Sequence, residues 1–172
     1  FTDLDTTYQN KIEEYQLHAY VIEPPTPEQV KYDIFDRVNR GGTELNTQEM
    51  RNALYYGKAT QLLKKMAKSS NFLAATGKAI PDKRMKAQYA ILRLIGFYLY
   101  RTTQYFEYKS NINDFLAPVM EKLNQTSDEQ LDNLYHRFDT AMRAIHYLLG
   151  KDAFRFPVKN ENRRPISLAL FE

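Results

Sequence analysis

"AQYAILRLIGFYLY", residues 87–100, decides the fold. The run carries one charge, Arg93, and one amide, Gln88, and is otherwise apolar or aromatic. It is too short and too interrupted for a membrane span, which needs about 20 apolar residues. It reads instead as a helix wet on no face, and such a helix belongs at the centre of a bundle. Pro81 and Asp82 supply a start, so the longest helix is expected at about 82–108. The fold expected around it is mainly α, a multi-helix bundle with at most one or two short strands near the N-terminus.

Working outward, residues 8–16 form a short polar helix and "LHAYVIE" (17–23) is rich in strand formers. "PPTP" stops that segment, and Thr26, Pro27 and Gln29 open a helix over 27–40. Its apolar stripe is Val30, Ile34 and Val38, widened by Phe35, with Asp33–Arg37 and Asp36–Arg40 pairs opposite. Gly41 ends it. Asn46 with Glu49 reads as a capping box, and the next helix is expected to run to Gly57. Short helices follow near 59–69 and 70–76. Downstream lies a helix at 111–124, with Pro118 a kink or break in it. Another runs from Ser127 to about 149 and stops at Gly150, and "RRPISLALFE" closes with a short helix.

At 172 residues, 43% apolar and 26% charged, the chain has the composition of one soluble globular domain over 1–172. The N-terminus is polar and acidic, unlike a signal peptide. With no cysteine there is neither a disulfide nor a thiolate metal site, which suits a reducing, cytoplasmic setting. The chain opens on Phe1 rather than Met, so further sequence is expected upstream.

Charge is unevenly spread. Residues 1–57 carry 5 basic and 10 acidic side chains, and residues 58–100 carry 9 and 1. The basic block holds Lys58, Lys64, Lys65, Lys68, Lys78, Lys83, Arg84, Lys86 and Arg93. Such a block attracts nucleic acid by counterion release, with Lys58, Lys64, Lys65, Lys68, Lys83, Arg84 and Lys86 the candidate contacts. It serves equally as a solvated face that pairs with the acidic N-terminal third. The sequence leaves both readings open.

Catalytic signatures are missing. His136 and His146 lie ten residues apart on one helix, about 280° around it, so they form no ligand pair. Asp132 and His136 share a face, as surface pairs commonly do. There is no nucleophile elbow, Walker loop or dinucleotide fingerprint. No catalytic residue and no metal ligand is assigned.

One string remains: Ile34-Phe35-x-Arg37-x-Asn39-x-Gly41-Gly42-Thr43-x-Leu45-x-x-x-Glu49-x-Arg51-x-Ala53. It resembles the signature of the domain-of-unknown-function 262 family, the N-terminal domain of GmrSD-type modification-dependent restriction endonucleases. "RMKAQYAILRLIGFYLY" (84–100), "INDFLAPVM" (112–120), "FDTAMRAIHYLLGKDAFRF" (138–156) and "ALFE" (169–172) resemble later segments of that family in order. The resemblance implies the helical portion of a larger anti-phage protein. Its ParB/sulfiredoxin-like part, with an Asp-Gly-Gln-Gln-Arg loop for NTP hydrolysis and DNA cleavage, would lie upstream. On this reading the 172 residues are inactive alone and hold no cofactor, while the parent would use NTP and a divalent metal. The implied partners are the upstream domain, DNA and a second copy, with no membrane.

A Gly-Gly turn feeding a helix N-terminus suits an anion. Arg37 and Arg51 are therefore candidate phosphate clamps, with Asn39, Gly41, Gly42, Thr43 and Gln48 beside them. Each also has a plainer job in helix pairing, turning or capping. Two other functions stay open: a helical interaction scaffold, and a basic nucleic-acid-binding module.

Overall fold

Helices succeed one another with short joints: α1 (Thr6–Glu13), α2 (Glu28–Asn39), α3 (Thr47–Leu54), α4 (Lys58–Ala67), α5 (Ser70–Thr76), α6 (Lys86–Thr102), α7 (Ile112–Gln125), α8 (Asp128–Leu149) and α9 (Leu168–Phe171). A 3₁₀ turn, Lys83–Met85, precedes α6. The computed structural model describes residues 2–16, 18–19, 21, 23, 25–26, 28–39, 44–103, 107–108, 110–157 and 164–172, without the side chains of 28, 29, 32, 36 and 39. Among the described residues there is no strand, and the fold is all-α. The strand expected at 17–23 is absent at residues 18, 19, 21 and 23, and its other positions lie outside the described residues.

Local capping signals set the boundaries. Asn46 Oδ1 accepts from the N–H groups of Gln48 and Glu49 at 2.9 and 3.0 Å, and Glu49 Oε2 accepts from the Asn46 N–H at 2.8 Å. This is the expected capping box. Ser127 caps α8 through the Gln130 N–H, and Gly150 stops that helix at φ +51°. Helix α3 ends at Leu54 rather than Gly57 because a distant side chain takes over. Asn124 of α7 accepts from the Ala59 N–H at 2.8 Å and donates to the Tyr55 carbonyl at 3.0 Å, fixing 55–59 as a turn.

Helix α6 occupies the centre, against α4, α7 and α9, with Ile91 and Leu92 wholly shielded from solvent. It spans 86–102, not 82–108. Arg84 and Met85 take φ of 54° and 59°, left-handed values that interrupt a right-handed helix and cost about 1–3 kcal/mol each. At the other end Thr103 is extended, and its hydroxyl bonds the Leu99 carbonyl. Gly96 lets α6 and α7 touch, since a Cβ there would lie 2.9 Å from the Phe115 ring. Pro118 sits within α7 without ending it. It is solvent-exposed, as is Asp114, so water can serve the carbonyl that loses its N–H partner.

The core is continuous from α4 to α9, with Phe72 at its heart beside Phe138 and Phe171. Helix α2 stands outside it. Val30, Ile34 and Val38, expected to face the core, are 41%, 40% and 75% exposed because no described element covers them. No described helix is long and apolar enough to cross a membrane.

Candidate functional site

Polar side chains gather where α3 meets the 3₁₀ turn and the starts of α6 and α7. Arg51 is the anchor, with none of its surface exposed. Its Nη1 donates to Gln48 Oε1 at 2.5 Å and its Nη2 to Asn113 Oδ1 at 3.1 Å. Gln48 Nε2 donates to Asn52 Oδ1 (2.7 Å), Asn52 Nδ2 to Gln88 Oε1 (2.8 Å), and Gln88 Nε2 to Asp82 Oδ2 (2.8 Å). Every amide passes its N–H the same way, from the guanidinium towards the Asp82 carboxylate. Aligned dipoles polarise one another, so such a chain is stronger than its separate bonds.

The local sequence explains the placement. Gln48, Arg51 and Asn52 occupy successive turns of α3 on one face, spaced at i, i+3 and i+4. That face turns inwards because the Asn46 cap aims the helix across the starts of α6 and α7.

Beside this chain opens a cleft of about 370 Å³, lined by Asn46, Gln48, Arg84, Lys86, Tyr89 and Asn113 among others. Gln48 and Asn113 face the cleft on one side and are held by Arg51 on the other. With its Oδ1 occupied by Arg51, Asn113 has its Nδ2 left to donate to a ligand. Lys86 adds a cation that makes no ion pair with a described residue. Arg84 spans the opposite lip. Its Nη2 lies 2.7 Å from Glu49 Oε2 and donates to the Glu44 carbonyl at 2.5 Å, while its own carbonyl accepts from Asn46 Nδ2 at 2.9 Å. Hydrogen bonding by Arg84, then by the Asn46 N–H, holds the Glu49 carboxyl below its ordinary value. The same pairing raises Arg84.

The candidate residues separate into groups. Arg37 lies exposed on α2. The Asn39 side chain and all of Gly41, Gly42 and Thr43 lie outside the described residues. Gln48 lines the cleft, whereas Arg51 sits behind it, where clamping a phosphate would mean leaving its amide partners. At the N-terminus of α3, expected to suit an anion, the N–H groups of Gln48 and Glu49 are already given to Asn46. Asn113, Lys86 and Tyr89 emerge as cleft residues that spacing within 34–53 had no means of revealing. Only the fold brings positions 62 residues apart together.

The basic block also divides. Lys58 pairs with Asp128 at 2.8 Å, and Lys65 with Asp132 at 3.1 Å while lying over the Tyr135 ring. Arg84 pairs with Glu49, and Arg93 with Glu172. The described acidic partners of Lys58 and Lys65 thus come from α8 rather than from the N-terminal third. Lys64, Lys68, Lys83 and Lys86 are exposed and make no ion pair with a described residue. Among the described residues no group of three or more acidic or histidine side chains could hold a metal. No family model, curated protein or solved structure matches this chain.

Proposed function

We propose that this chain is the helical body of a GmrSD-like restriction protein, supporting an NTP-hydrolysing site whose catalytic loop belongs to a preceding domain. One observation carries the reading: the segments of the resemblance are wired to one another by polar side chains, three of them buried. Arg51 of the first reaches Asn113 of the third, Asn52 of the first reaches Gln88 of the second, and Arg93 of the second pairs with Glu172 of the last. These segments form one scaffold, and its open side is the cleft in which Asn113 and Lys86 stand. There, Asn113 and Lys86 would face phosphate oxygens, and Arg51 would position Gln48 and Asn113 without touching the nucleotide.

The test is NTP turnover by the intact parent protein carrying Asn113→Ala and Lys86→Ala. Both residues are exposed, and because Asn113→Ala also takes an acceptor from Arg51, the urea midpoint of each variant is read beside its turnover. Loss of a charge-assisted contact should lower kcat/KM about tenfold for each. Wild-type kcat/KM in the double variant would sink the proposal.

A further inference from the structure

A second cavity, of about 310 Å³, lies on the far side of α6, enclosed by α8 and the C-terminal helix. Its walls are apolar: Leu94, Ile95, Phe138, Met142, Phe154 and Phe171. Two polar groups stand at its rim. Arg137 Nη1 donates to the Tyr98 hydroxyl at 2.7 Å, and the guanidinium lies 5.6 Å from the Tyr98 ring centroid. Arg137 is exposed and makes no ion pair with a described residue. Since the Tyr98 oxygen accepts from Arg137, its own proton remains to donate outwards. One cation and one hydroxyl thus converge on a greasy slot, the pattern of a small-molecule site.

We infer that this cavity binds a medium-chain aliphatic carboxylate, with the chain among the apolar walls and the head group on Arg137 and Tyr98. The single cation matches a monoanion better than a phosphate dianion. A planar carboxylate can accept from the guanidinium fork and the hydroxyl together. The volume lies at the small end of ligand pockets, which favours a short chain over a membrane lipid. The inference is independent of the function proposed above, because none of these residues lines the α3 cleft.

Isothermal titration of the full chain with decanoate, below its micelle concentration, tests it. Saturable one-to-one binding is expected, with decanol at least tenfold weaker. Arg137→Gln, an exposed change that keeps the fold, should weaken decanoate about tenfold, because a charge-assisted bond is lost. Ala141→Trp, at the mouth, should abolish binding while the helical circular dichroism is unchanged. Absence of saturable heat, or equal affinity for decanol, overturns the inference. So does decanoate binding that ignores both substitutions.

Discussion

A guanidinium removed from water costs several kcal/mol unless its donors are used, and Arg51 offsets part of that cost with the two amide oxygens that frame the cleft. Arg51→Met keeps much of the side-chain volume but leaves Gln48 Oε1 and Asn113 Oδ1 without their donor. The expected loss is about 1–3 kcal/mol, chiefly from the buried Gln48 acceptor, since water can replace the donor at the exposed Asn113. It is read as a lower urea midpoint with an unchanged m-value. A midpoint equal to wild type would mean that the amides find other partners. At this scale the sequence misleads in an instructive way. An arginine next to a turn looks like a ligand clamp, yet burial is set by contacts that only the folded chain makes. Asn113 lies too far along the chain for any window to pair it with Arg51.

Helix α3 shows what short-range chemistry does make legible. Asn46 and Glu49 are three residues apart, so their capping box is readable from the letters alone, as is the Ser127 cap of α8. The start of α6 was not readable. Periodicity continues through Lys83 and Arg84, but Glu49 and the Glu44 carbonyl draw Arg84 aside and the backbone turns left-handed. That Glu49–Arg84 contact has a pH signature. The carboxyl is depressed in the folded chain, so its stabilisation is fully present above the unfolded value of about 4.5. It is lost as pH falls through the lower folded value. Glu49→Gln should therefore be less stable than wild type at pH 7, and the two urea midpoints should converge below pH 4.5. Midpoints that stay a constant distance apart down to pH 3 would show that the charge contributes nothing.

Across the molecule, stability resides in the aromatic and aliphatic interior rather than in its ion pairs. Lys65 and Asp132 are each about half exposed or more, so water and salt screen their attraction. Phe72 is shielded completely and meets two other rings. Phe72→Ala is expected to cost about 3–5 kcal/mol, while Lys65→Ala should cost less than about 1 kcal/mol. Urea unfolding of both variants checks the contrast, which fails if the lysine change proves the larger. The bundle itself was legible because a long apolar run has only one place to go. The exposure of Val30, Ile34 and Val38 was not, since an amphipathic stripe announces that it wants cover without saying which element provides it.

The paired left-handed residues at the cleft lip carry one more implication. Contacts from outside the turn accompany that contour: Arg84 reaches the Glu49 carboxylate and the Glu44 carbonyl, and Asn46 Nδ2 donates to the Arg84 carbonyl. The lip is therefore moored to the start of α3 at three points, and the entrance keeps its shape while α6 begins one turn later than its letters promise.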